Sequence, residues 1–246
     1  MARWTREELL QALNLYHRTP FGRQHSRYRP IIQLADKLGR TPGSVAMKLN
    51  NFTSLDPLEK ARGIKGLSGA SQLDRAIWEE FENDLPALAE ESEPLLDSAP
   101  EAGIKPMEPN GPTEKVTLSK SRRHQSFFRR TVLATYDYRC CLSGNPLPEL
   151  LRASHIIPWS ESKALRLKPT NGLCLAATYD AAFDRGLISF DENYRLLIGA
   201  RLHQFAECED VHRAFLDRAG SPLSLPEKNL PSQEALDWHR RHLFRS

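Results

Sequence analysis

The chain has 246 residues, 40% of them hydrophobic and 26% charged, with a net charge of +3, the composition of an ordinary soluble globular protein long enough for two modest domains. No apolar run approaches the roughly 18 residues of a membrane span, and the opening MARWTREELLQ lacks the apolar core and cleavage site of a signal peptide, so a cytoplasmic protein without a membrane partner is expected. Cys140, Cys141, Cys174 and Cys208 form no CxxC pair and no secreted spacing pattern, which argues against a disulfide framework or a four-cysteine zinc knuckle and for reduced, mostly buried thiols.

The charge is unevenly distributed. Residues 1–65 carry twelve Lys/Arg against five Asp/Glu, residues 66–114 two against twelve, and residues 115–246 twenty against fourteen. Two basic blocks separated by an acidic one suggest two surfaces for a polyanion, joined by a segment that a polyanion repels. In chain order, Thr5 followed by Glu8 has capping-box spacing, and Leu9, Leu10, Leu13 and Tyr16 share one face, which predicts a helix ending before Pro20. A second helix is expected over Ile31 to Leu38, closed by Gly39. A third begins with Thr41 as N-cap and Pro42 at its first position.

Residues 31–52 thus have the shape of a helix-turn-helix. In that reading Arg40, Thr41, Ser44 and Lys48 face the major groove or its phosphates, and Arg62 and Lys65 in ARGIKGLSG clamp the backbone. The plain alternative is a helical scaffold with a solvated basic face. A further helix is predicted over 71–85. The Pro-, Glu- and Ser-rich stretch 86–116 reads as an acidic linker, which divides the chain into a helical, DNA-binding domain (1–85) and a second domain (117–246). Beyond it, SKSRRHQSFFRRTVLATYDYRC is a basic amphipathic stretch. Phe127, Phe128, Val132, Leu133 and Tyr136 suit its buried face, and Arg122, Arg123, Arg129 and Arg130 remain for solvent or phosphate. Two short strands around a loop, the second over Asn171 to Leu175, a helix over Asp180 to Leu187 and a last amphipathic helix in EALDWHRRHLF complete the expected α+β chain.

The chemistry lies in residues 139–191. His155, alone between apolar residues, would read as structural. It is, however, followed by Ile156-Ile157-Pro158, a polar loop, Asn171-Gly172 opening a strand, and two aspartates at helical spacing. Asp180 and Asp184 fall on one helix face, where two carboxylates share a hard cation or otherwise repel. Their alternative roles are a helix N-cap for Asp180 and a pair with Arg185 or a turn cap for Asp184. A Ser/His hydrolase on Ser154 and His155 is disfavoured, since neighbours on a strand point to opposite faces and no G-x-S-x-G elbow is present.

Four ordered pieces, Cys140 to Gly144, Ala153-Ser154-His155-Ile156-Ile157-Pro158, Asn171 to Leu175 and Ala182-Phe183-Asp184-Arg185-Gly186-Leu187-Ile188, resemble the HNH (ββα-metal) endonucleases, especially their bacterial restriction-like members. The resemblance implies a C-terminal ββα-metal domain with flanking helices that hydrolyses phosphodiesters of double-stranded DNA to 5′-phosphate and 3′-hydroxyl ends, in restriction or phage defence. It implies His155 as the general base on water, Asn171 as the residue that positions the histidine's loop, and Asp180, Asp184 and, weakly, Ser154 as ligands of one divalent ion. An all-oxygen set favours Mg²⁺ or Mn²⁺ over Zn²⁺. Arg152 and Arg185 join the arginines expected on DNA, and a homodimer is the simplest way to cut both strands. The chain departs from the pattern where Tyr179 and Asp180 replace the last family histidine, and where Ser154 replaces the usual Asp or His. Those departures keep open an inactive HNH-fold protein that binds DNA and regulates.

Overall fold

The computed structural model describes residues 3–96 and 112–245, and of 112–118 the helical backbone alone. The chain is α+β and divides into two compact units, residues 1–127 and 128–246. Among the described residues no helix is long and apolar enough to cross a membrane.

The first unit is helical: α1 Arg6–Arg18, α2 Arg29–Lys37, α3 Pro42–Leu55, α4 Pro57–Ala61, α5 Gln72–Phe81, α6 Leu85–Ser92, and the part of α7 Pro112–Thr135 up to Phe127. Local chemistry sets the helix starts. Thr5 and Glu8 form the capping box of α1, Thr41 accepts the Ser44 amide at the start of α3, and Ser71 and Asp74 cap α5 reciprocally. Gly39, at φ +61°, takes the left-handed position that ends α2. The apolar faces of α1, α3 and α5 then close on one another. Tyr16 meets Trp78 edge-on at 5.7 Å, and Phe52 stacks on Trp78 at 6.3 Å.

Two residues expected at a DNA groove belong instead to this scaffold. Arg40 donates to both carboxylate oxygens of Glu8 at 2.8 and 2.7 Å, and its guanidinium lies 4.2 Å over Trp4. Lys48 is buried against Asp74, with Nζ–O distances of 2.8 and 2.7 Å. Both cations answer acids on other helices, and breaking such buried pairs would leave an uncompensated charge. The acidic linker also begins later than residue 86. Asp84 caps α6, and Pro86 sits in the first turn, where a missing N–H costs nothing. That helix then brings Ser92 and Glu93 to the buried Asn14. Residues 97–111 of the expected linker lie outside the described residues. The boundary between units falls inside α7, rather than at 116.

In the second unit, strands β1 Leu151–His155 and β2 Gly172–Ala176 pair antiparallel, with Ala153 opposite Cys174 and His155 opposite Gly172. Helix α8 Ala177–Asp184 follows directly, then a hairpin of β3 Ile188–Phe190 and β4 Leu196–Ile198, short helices α9 Ala200–His203 and α10 Glu209–Ala214, and α11 Gln233–His242. Helix α8 starts three residues before the expected Asp180, because Ala176 leaves β2 straight into its first turn. Cys140, Cys141 and Cys174 are buried free thiols, and Cys208 is an exposed one. The Cys140–Gly144 segment is a turn bound to β2 through the Cys141 amide and the Cys174 carbonyl, 2.8 Å apart. Burial, with Cys140 alongside, pushes the Cys174 thiol up to about 12, and burial also raises that of Cys141, so these two thiols stay protonated and unreactive.

Two close approaches fix the unit. A Cβ on Gly172 would stand 2.5 Å from Val132 Cγ2 and 2.9 Å from Phe128 Cζ, so a glycine here lets α7 reach β2. At the other end, fully buried His239 of α11 stacks on Phe183 at 3.7 Å, bonds Ser189 Oγ through Nδ1 at 2.9 Å and donates from Nε2 to the Phe183 carbonyl at 3.0 Å. Burial pushes its imidazole down to about 4, the Phe183 hydrogen bond opposing and Arg240 adding to the shift.

Two expectations follow. A histidine depressed in the folded state stabilises fully above its unfolded value near 6.5 and loses that contribution as pH falls towards about 4. Urea unfolding should therefore weaken over that window by up to about 3 kcal/mol, and His239→Gln should flatten this part of the curve; an equal slope in both proteins contradicts the assignment. Gly172→Ala should cost about 1–3 kcal/mol through overpacking, and an unchanged urea midpoint would contradict the close approach.

Candidate active site

His155 ends β1, and three neighbours hold its ring. Phe128 stacks on it with centroids 3.8 Å apart and planes 10° apart, and Trp159 meets it edge-on at 5.5 Å. Its Nε2 lies 3.0 Å from the main-chain carbonyl of Arg166. A carbonyl only accepts, so Nε2 carries the proton, and in the neutral ring the lone pair is left on Nδ1. Burial holds the imidazole below the usual histidine range, against the opposing pulls of the Arg166 carbonyl and the Asp180 charge. The ring is half-buried rather than sealed. With its charged form disfavoured by burial, it is neutral near pH 7.

The loop that supplies the Arg166 carbonyl is closed by Asn171. Its buried side chain accepts the Ile157 amide at 2.9 Å and donates to the Ile157 carbonyl at 3.0 Å and the Leu165 carbonyl at 3.4 Å. The Asn171 carbonyl also takes the Ile156 amide at 2.9 Å. Inside the loop, Arg166 Nε donates to the Trp159 carbonyl at 2.7 Å, and the guanidinium lies 5.1 Å over the Trp159 ring. The side chain of Arg166 thus folds the loop so that its own carbonyl meets the histidine.

Asp180 and Asp184 occupy successive turns of α8, and neither has a hydrogen bond or ion pair among the described residues. Partial burial and then the Asp180 charge push the Asp184 carboxyl up to about 6, with Arg185 opposing. Asp180 also acts electrostatically on His155, so this one acid influences both the imidazole and Asp184. Among the described residues no three His, Cys, Asp or Glu side chains converge on a metal position. Two unpartnered carboxylates nevertheless fit a hard divalent cation that completes its shell with water and phosphate oxygens.

Ser154, expected as a weak ligand, does not join them. Strand alternation turns it away from the His155 face; it is buried at 2% exposure, and its hydroxyl has no hydrogen-bond partner. The arginines expected on DNA are scattered. In the first unit, Arg122 is exposed, Arg123 reaches the Glu90 carbonyl, Arg62 pairs with Glu59 at 3.0 Å, Lys65 is exposed, and Thr41 and Ser44 form the cap of α3. In the second, Arg129 donates to the Leu151 carbonyl, Arg130 is half-buried, Arg152 bonds the Glu149 and Leu151 carbonyls, and exposed Arg185 bonds the Ala181 carbonyl.

Sequence reasoning missed Phe128, Trp159 and Arg166 as members of the site. Phe128 reads as a core residue of an amphipathic helix, and Arg166 acts through a main-chain oxygen that no side-chain pattern reveals. Residues 140–191 match the family model described as HNH endonuclease, and no curated protein matches the chain. That span starts at the Cys140 turn, contains β1, the Asn171-closed loop, β2 and α8, and runs just past β3. The C-terminal half of the chain therefore carries a domain of the HNH endonuclease family.

Proposed function

We propose that the protein is a metal-dependent endonuclease that hydrolyses phosphodiester bonds of double-stranded DNA, with His155 as general base. The observation that carries this reading is an imidazole whose Nε2 proton is committed to the Arg166 carbonyl, whose Nδ1 lone pair is left to take a proton, and on which the charge of Asp180 acts, itself one helical turn from Asp184. A neutral imidazole near pH 7 is suited to accept a proton from water attacking phosphorus. As that proton arrives the ring becomes cationic, and Asp180 stabilises the charge while the Arg166 carbonyl keeps the ring from turning. Asn171 positions the loop and touches no reacting atom.

Asp180 and Asp184 would hold one divalent ion, Mg²⁺ or Mn²⁺ by their hard oxygen chemistry. When bound, such an ion supplies charge neutralisation at the scissile phosphate and at the departing 3′ oxygen. The first unit supplies DNA affinity, and restriction of foreign DNA is the role that fits a duplex-cutting activity. With one histidine site per chain, a double-strand break takes two chains or two successive events. The burial of Ser154, and the absence of a third converging ligand among the described residues, favour the competing reading, a DNA-binding protein that does not cut.

Plasmid nicking separates the two. The protein should nick with Mg²⁺ or Mn²⁺ and not with EDTA, and His155→Ala should lose about 100-fold or more of the rate, the scale of a general base. Equal nicking by both proteins ends the assignment of His155, and absence of nicking in the parent under both cations favours the non-cutting reading. Asp180→Asn and Asp184→Asn should each raise the Mg²⁺ concentration for half-maximal nicking by about tenfold or more, the scale on which metal sites respond to a weakened ligand environment. An unchanged metal dependence contradicts their role as ligands.

A further inference from the structure

The loss of Arg40 and Lys48 to the scaffold leaves the basic excess of the first unit elsewhere. Two stretches lack any acid: residues 9–35, bounded by Glu8 and Asp36, and residues 60–73, bounded by Glu59 and Asp74. Within the first, the run FGRQHSRYR spans the α1–α2 connection and the first residue of α2, and in it His25, Ser26, Arg27 and Arg29 are exposed. Arg27 and Arg29 have no acidic partner among the described residues. Arg29 also opens α2, whose first turn has no acid, so its charge adds to the positive end of the helix rather than offsetting it. This accumulation of like charge is unfavourable unless a polyanion meets it.

The segment is built as a rigid feature. Gln24, buried at 6% exposure, accepts from Thr53 Oγ1 at 2.7 Å and donates to the Thr19 carbonyl at 3.3 Å. Successive turns run from Arg23 to Pro20, Gln24 to Phe21 and Tyr28 to His25. The Arg23 guanidinium lies 5.9 Å over Tyr28, and His25 meets the same ring at 6.4 Å. Asn50 of α3 joins this loop to the second acid-free stretch. Its side chain donates to the Gln24 carbonyl at 2.9 Å, and its own carbonyl accepts the Leu67 amide at 3.0 Å. Gly66, at φ +60°, makes the approach possible, since a Cβ there would stand 2.6 Å from the Asn50 oxygen. Exposed Lys65 is thereby carried to the same part of α3.

We infer that the first unit binds the phosphate backbone of duplex DNA through these two joined loops, with Arg27, Arg29 and Lys65 as phosphate contacts, rather than through the start of α3. The inference rests on the proposed DNA substrate, though not on cleavage. A loop anchored through Gln24 and Asn50 loses little backbone freedom on contact, and each phosphate neutralised releases a counterion, which makes the salt dependence of affinity a count of contacts.

Fluorescence anisotropy of the full chain with a 20-base-pair duplex, in EDTA and from 50 to 300 mM salt, tests this. Changing Arg27, Arg29 and Lys65 together to Gln should reduce the slope of log Kd against log salt by about 2 to 3, at about 0.9 per lost contact, with an unchanged melting temperature. Arg40→Gln should lower the melting temperature and leave the slope intact. An unchanged slope and affinity in the triple variant, or tighter binding of single-stranded RNA than of the duplex with the same three residues, overturns the inference. The nuclease reading fails separately, by equal nicking with His155→Ala, which leaves this binding result untouched.

Discussion

A carbonyl oxygen cannot give up a proton it does not have, and the carbonyl of Arg166 stands 3.0 Å from Nε2 of His155. That one hydrogen bond decides which nitrogen of the ring is a base. Most of what surrounds it maintains the contact. Asn171 closes the loop, Arg166 folds back on Trp159, Phe128 lies flat against the imidazole, and Gly172 lets Phe128 approach. The half-buried ring is neutral because water is partly excluded, and it keeps its orientation because the loop cannot shift without breaking the Asn171 bonds.

The acids of the chain fall into two kinds, and the contrast gives the site its meaning. In the first unit the inward-facing carboxylates are answered: Glu8 by Arg40, Asp74 by Lys48, and Glu93 by Arg18 at 2.7 Å. Such pairs hold helices together and leave little charge for a ligand. On α8 two carboxylates stand one turn apart, Asp180 acting on the His155 imidazole, with no ion pair to either among the described residues. Like charges at that spacing destabilise a helix slightly, a cost that an oxygen-seeking divalent cation offsets. The HNH match over residues 140–191 takes in this helix and the histidine strand together.

Features that depend on neighbours along the chain were legible in the sequence. The capping box at Thr5, the Thr41-Pro42 helix start, the Gly39 stop and the order of His155, Asn171, Asp180 and Asp184 are short-range patterns, and the structure forms each helix signal where it was read. What was not legible depends on distant partners. Nothing near Arg40 or Lys48 announces Glu8 or Asp74, so both read as free cations on a recognition helix. Pro86 read as the start of a linker because a proline breaks a helix interior, whereas at the first turn it begins one. Strands β3 and β4 are three residues each, too short for alternation to register. Ser154 was placed at the site by its position beside the histidine, and strand alternation with burial removes it.

At the centre of the site, His155 is a neutral Nε2–H imidazole whose Nδ1 carries the lone pair and on which the Asp180 charge acts. Ring-nitrogen NMR on histidine-labelled protein, with the His155 signals assigned by their loss in His155→Gln, tests it most directly. The account predicts a protonated Nε2 and an unprotonated Nδ1 at pH 7, and a shift of the His155 signals when Mg²⁺ is added. A proton on Nδ1, or a ring indifferent to the cation, would contradict it.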